Sequence, residues 1–173
     1  MTIQQTKLPQ LSADEIARVR QPLAQAYTLP PTAYTDPDIY EREVAKIMRK
    51  SWLPLARVDQ VAKPGDYISL DLFGQPVMVV HGKDGEIRNI SRVSLHRAAP
   101  LTEDGAGHRN LFTCPYHAWS YDTAGELVRT PLMEGADGFD QTSTHEKCRL
   151  PQIRTEIWNG FIMGNLDEAA EAF

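Results

Sequence analysis

The chain has 173 residues, 42% of them apolar, and a formal net charge of −5, with a pI of about 5.5. That apolar share is enough for a packed core and excludes a wholly disordered chain. The acidic balance offers no electrostatic footprint for nucleic acid or for an anionic membrane surface.

The length suits one domain, or one domain with an appended N-terminal arm. Met1 to Gln10 is polar and lacks the charged-then-apolar pattern of a signal peptide. No apolar run reaches the length of a membrane span. The expected location is the cytoplasm, with no nucleic-acid and no membrane partner.

Ser12-Ala13-Asp14-Glu15 matches a capping box, with acidic residues in the first turn where the helix dipole favours them. The pattern predicts a helix from Ser12 to about Tyr27, bent or interrupted at Pro22. Thr35 is the expected N-cap of a second helix, with Asp36, Pro37 and Asp38 in its opening turn. Tyr40, Val44, Ile47 and Met48 recur at helical spacing and mark its apolar face. Glu41, Arg42, Glu43 and Lys46 form a solvated one.

From Trp52 onward the pattern becomes short strands between Gly/Pro turns. Tyr67 to Leu72 alternates after the breaker Lys63-Pro64-Gly65-Asp66, and Val77 to Val80 is a continuous apolar run, read as a buried strand. Further strands are expected at Ile87 to Val93, Asn110 to Thr113, Ala118 to Tyr121, Gln152 to Trp158 and Gly160 to Gly164. The fold class is therefore mainly β, an antiparallel sandwich or small barrel preceded by two N-terminal helices.

The chemistry concentrates in Ser94-Leu95-His96-Arg97-Ala98-Ala99-Pro100-Leu101 and Cys114-Pro115-Tyr116-His117-Ala118-Trp119-Ser120-Tyr121-Asp122. A Cys and a His on one turn, with a second His on a neighbouring loop, can converge on a metal centre. Thiolate suits iron–sulfur clusters or zinc, and neutral imidazole suits several transition metals. Pro100 and Pro115 would stiffen the loops, whose amides can donate to bound sulfur. The other cysteine, Cys148, reads as a small buried hydrophobe in a strand region. A reducing compartment argues against a disulfide.

Seventeen residues separate His96 from Cys114. This spacing and the second segment resemble the Rieske motif of ring-hydroxylating oxygenase alpha subunits, Cys-x-His followed after seventeen residues by Cys-x-x-His. The similarity extends to Asp36-Pro37, Ser51-Trp52-Leu53, Lys63-Pro64-Gly65-Asp66-Tyr67 and Gly160-Phe161-Ile162. The resemblance implies a Rieske-type fold with a cluster-binding loop subdomain. It divides the chain into an N-terminal helical arm (1–50), a Rieske-type domain (51–166) and a tail (167–173) that begins a linker to a catalytic domain.

It also implies a [2Fe–2S] cluster with His96 and His117 on the outer iron and Cys114 on the inner one. The remaining inner position falls on Ser94. By the same resemblance, the domain takes electrons from a ferredoxin or reductase and passes them to a mononuclear iron that activates oxygen. The partners would be that donor and other oxygenase subunits, in a homo-oligomer.

Three departures accompany the likeness. Ser94 replaces a cysteine, and a serine oxygen is a harder, less acidic ligand than thiolate. Cys148 is remote in sequence. Three readings follow: a defective or altered cluster, a single zinc ion on His96, Cys114 and His117, or a clusterless interaction module. The two His and one carboxylate of a mononuclear iron site have no counterpart among His81, His108 and His145, which read as turn and surface residues. Ala118 stands where the family usually has Gly, a mild change unless a positive φ is needed. Trp119 and Tyr121 are expected to pack beneath the loops.

Overall fold

A computed structural model of the protein describes residues 11–133 and 136–173; the signal-peptide reading of Met1 to Gln10 lies outside them. Residues up to Lys50 form one compact unit and Ser51–Phe173 a second.

The first unit is helical. Helix α1 spans Ala13–Val19, and Ser12 and Glu15 close the predicted capping box reciprocally. The helix stops at Arg20, well short of Tyr27, because a residue before Pro22 already disfavours helical geometry. A single turn, α2 (Thr32–Thr35), precedes α3 (Pro37–Lys46). The cap of α3 is Asp36 rather than Thr35: its carboxylate accepts from the Asp38 N–H at 2.9 Å, and Pro37 takes the N1 position, where no N–H is needed. The predicted apolar face is only partly covered, since Tyr40 and Ile47 are both exposed.

The second unit is built on antiparallel strands. They are β1 (Leu53–Arg57), β2 (Asp66–Leu72), β3 (Gln75–His81), β4 (Ile87–Ser91) and β5 (Gly105–His108). After these come β6 (Phe112–Thr113), β7 (Ser120–Tyr121), β8 (Leu127–Arg129), β9 (Gln152–Trp158) and β10 (Phe161–Asn165). Seven of them form one sheet, in the order β1-β10-β9-β4-β3-β2-β5, and β6-β7-β8 form a second. The mainly β architecture expected from the strand pattern is what the chain adopts.

The predicted buried strand is β3. Met78 and Val80 point into one apolar cluster and Val79 into another, and all three are fully buried. Each such side chain contributes about 1.5–3 kcal/mol relative to exposure. At the breaker before β2, Gly65 takes φ +96° and lies against the ring of His108. The Lys63 N–H donates to the Asp66 carboxylate at 2.8 Å, which fixes where β2 begins.

Five elements were not anticipated from the sequence: α2, β1, β5, which is half glycine, β8, and helix α4 (Gln141–Lys147). Helix α4 starts at Asp140, whose carboxylate accepts from Thr142 and Ser143. Cys148 is its C-cap, not a strand residue, and packs half-buried against the larger apolar cluster.

That larger cluster positions the site. Tyr67, Met78, Val80 and Ile90 of the seven-stranded sheet meet Phe112, Cys114, Trp119, Tyr121 and Leu127 around the small sheet. The site loops thus rest on a core contributed by both sheets.

Candidate metal centre

Two loops carry the predicted ligands, and their backbones repeat one design. In the first, the Ser94 N–H donates to the Ala99 carbonyl at 2.9 Å and the Ala98 N–H returns to the Ser94 carbonyl at 3.0 Å. In the second, Cys114 and Trp119 are joined at 2.8 Å, and Ala118 returns to Cys114 at 3.0 Å. Each loop closes its last turn with an alanine in the left-handed region, Ala98 at φ 52° and Ala118 at φ 57°. A non-glycine residue there costs about 1–3 kcal/mol. The positive φ that would make alanine an awkward replacement for glycine is therefore present at Ala118, and also at Ala98, which the sequence had not marked.

The loops bring the two imidazoles together. The ring centroids of His96 and His117 lie 4.8 Å apart, edge to face. Trp119 is buried and stacks on His96 at 4.5 Å and 8°, so its packing role includes holding that imidazole. Tyr116, on the exposed side, lies 3.9 Å from His117. Each imidazole is thereby oriented by an aromatic neighbour, a contact worth about 0.5–1.5 kcal/mol.

Both Nδ1 atoms are buried, and neither has a hydrogen-bond partner among the described residues. Leaving a buried polar atom unsatisfied costs about 1–3 kcal/mol. Two such atoms, on rings whose centroids lie 4.8 Å apart, suit metal coordination, which needs neutral imidazole with a lone pair. Burial first, and then the nearby His117 and Arg97, push His96 below the usual histidine range and favour that neutral form.

His96, Cys114 and His117 line one cleft of about 420 Å³, whose far wall is Pro131, Leu132 and Met133. That wall had no sequence signal beyond a proline. Cys114 is buried at the cleft floor, and both cysteines are reduced. No group of three His, Cys, Asp or Glu among the described residues is drawn together as around one ion.

Ser94 is 1% exposed and is not among the residues that line the cleft. Its Oγ lies 3.4 Å from the Tyr121 hydroxyl and 3.4 Å from the His96 N–H that donates to it. The Tyr121 hydroxyl in turn accepts from the Leu95 N–H at 3.0 Å. Tyr121 thus ties the first loop to the strand following the second, a task beyond the packing role the sequence suggested. The signal was its hydroxyl: a fully buried tyrosine needs a partner where phenylalanine would not. Burial raises its pKa above the ordinary tyrosine value, although the hydrogen bonds from Ser94 and Leu95 oppose the shift.

The other histidines lie elsewhere. His81 Nδ1 bonds the Val61 carbonyl, His108 pairs with Asp66, and His145 lies in α4, 3.4 Å from the Thr130 hydroxyl. None lines the cleft.

The donor set was tested against a Rieske-type cluster. Two orphaned imidazole nitrogens and one buried thiol fit three of its four ligand positions. Ser94 is the residue on which the resemblance places the fourth.

Comparisons with known proteins agree with this architecture. The chain is 39% identical over 140 residues to a benzene 1,2-dioxygenase alpha subunit of Pseudomonas putida, covering 81% of this chain and 30% of that protein. It is 32% identical over 146 residues to the carnitine monooxygenase oxygenase subunit of Escherichia coli, covering 84% and 38%. Among solved structures, a quaternary ammonium Rieske monooxygenase superimposes with a TM-score of 0.78 at 31% identity, covering 95% of this chain and 43% of that one. Naphthalene 1,2-dioxygenase superimposes with a TM-score of 0.70 at 30% identity, covering 77% and 30%. The chain spans about a third of the length of the curated relatives it matches. The Rieske [2Fe-2S] domain matches residues 51–154, and the chain belongs to that family.

Proposed function

We propose that this chain is the electron-transfer module of a Rieske non-haem iron oxygenase, holding a [2Fe–2S] cluster between its two loops. His96 and His117 would take the outer iron through Nδ1, and Cys114 would take the inner iron through its thiolate. Bound there, the cluster supplies one-electron redox chemistry, at a potential raised by neutral imidazole ligands. The observation that carries the reading is the pair of buried, unpartnered Nδ1 atoms 4.8 Å apart by ring centroid.

The protein's own part is positional. Trp119 fixes the His96 ring, Tyr116 flanks His117, and the apolar cluster beneath Cys114 keeps water from the inner side. The half-buried imidazoles leave the outer side close to solvent, where an electron donor and acceptor dock. In this reading the donor is a ferredoxin or reductase, and the acceptor is a mononuclear iron in an oxygenase catalytic domain. A homo-oligomeric setting and a cytoplasmic location belong to the same reading. Among the described residues no helix is long and apolar enough to cross a membrane. The domain limits 1–50, 51–166 and 167–173 belong to the same reading.

A single zinc ion on His96, Cys114 and His117, leaving one position open, is the second reading of the same three donors. The test is anaerobic purification with assay of iron, acid-labile sulfide and zinc, and electron paramagnetic resonance after reduction. Equal iron and sulfide with a Rieske-type spectrum is the expected result. Protein free of iron and sulfide after reconstitution overturns the reading and leaves a clusterless interaction module.

A further inference from the structure

Four aromatic rings run through the site from the core to the surface. Trp119 is 7% exposed and stacks on His96, with centroids 4.5 Å apart. His96 meets His117 edge to face at 4.8 Å. Tyr116 lies against His117 at 3.9 Å, tilted by 41°, and is 58% exposed. Each imidazole thus has a second ring beside it, and the two covers differ in setting. Trp119 belongs to the apolar cluster, which already excludes water. Tyr116 stands outside that cluster, on the solvent side, and lines the cleft together with both imidazoles and Cys114. A ring left mainly in water gains little from burial, so its contact with His117 is the task the position leaves it.

We propose that Tyr116 guards the reduced centre: its ring covers the solvent side of His117 and keeps small oxidants, dioxygen above all, from taking the electron directly. The inference rests on the Rieske-type reading of the site and deepens it. The loss that Tyr116 slows is a single electron transfer. One electron passes to dioxygen, which leaves as superoxide, and the centre is oxidised by one electron. No bond to Tyr116 forms or breaks, and no proton moves.

The cover discriminates by size. A diffusing molecule is held off His117 by the width of a ring, and electron transfer slows steeply as that distance grows. A protein partner docks on the ring itself and uses it as contact surface. The ring does this work and the hydroxyl does not, so phenylalanine should serve equally well.

The test compares the full chain with Tyr116→Ala and Tyr116→Phe, in two states. In metal-free protein, diethyl pyrocarbonate modifies accessible imidazoles, and mass spectrometry reads His117 against His108, which lies outside the cleft. Tyr116→Ala should raise modification of His117 at least threefold with His108 unchanged, and Tyr116→Phe should match the unchanged chain. The second state is protein reconstituted anaerobically with iron and sulfide, reduced, and mixed with air-saturated buffer. The visible spectrum and a superoxide assay follow its reoxidation. Tyr116→Ala should reoxidise at least threefold faster at the same reduction potential, and Tyr116→Phe at the original rate. Unchanged modification of His117 in Tyr116→Ala overturns the proposal, because the ring then covers nothing. Equal reoxidation rates also overturn it, as does a faster rate matched by a lowered potential, and in both cases the Rieske-type reading stands. Failure of every form to load iron and sulfide overturns the two together.

Discussion

The loop at 94–99 and the loop at 114–119 share a backbone and differ in chemistry. Both close with the same pair of hydrogen bonds and the same left-handed alanine. One opens with an oxygen and the other with a sulfur. Loop geometry here is thus encoded by local backbone bonding and by the core beneath, and the identity of the first ligand is written separately on top. A change at that one atom leaves the scaffold in place and alters only what the scaffold can hold.

Removing an imidazole should break the comparison most severely. His96→Ala or His117→Ala takes away a ligand and opens the cleft, and iron content should fall more than tenfold while the circular dichroism is unchanged. Cys114→Ser makes both loops begin with oxygen. It is expected to lose at least tenfold of its iron, because no thiolate then remains for the inner metal, and metal analysis checks it.

Tyr121→Phe separates the loops mechanically. It leaves the Leu95 N–H without its partner, a cost of about 1–2 kcal/mol, and for a chain of this size the Tm should drop by about 2–8 °C. Calorimetry on the metal-free protein reads this without interference from the cluster. The smallest effect sharpens the likeness. Ala98→Gly and Ala118→Gly should each stabilise by about 1 kcal/mol, since glycine adopts positive φ without a Cβ clash. Equal gains at the two sites confirm that the loops carry equal strain.

Much of this was legible in the sequence because it depended on local pattern. The capping box at Ser12, the strand beginning after Gly65 and the buried run Val77 to Val80 are short-range signals, and each appears where expected. The candidate ligand residues stood out through several short motifs in fixed order, which carry the family resemblance. The Tyr121 contact to Leu95 was not, since it joins residues 26 apart and depends on how two sheets meet. Helix α4 was missed because its residues, Gln141 to Lys147, include two threonines and a serine and show no apolar stripe. Its start depends on Asp140 as a cap. Cys148 was placed in a strand from the apolar residues that follow it, but a helix end brings it onto the core.

The stacking of Trp119 on His96 gives the protein a built-in optical probe. Of the three tryptophans, Trp158 is half exposed and Trp52 partly so, whereas Trp119 is buried with its indole 4.5 Å from the His96 ring. Its emission is the blue-shifted component of the spectrum. The proposed paramagnetic, visibly absorbing centre, once bound to His96, would quench that component first, and fluorescence alone would follow its loading and loss with no added label.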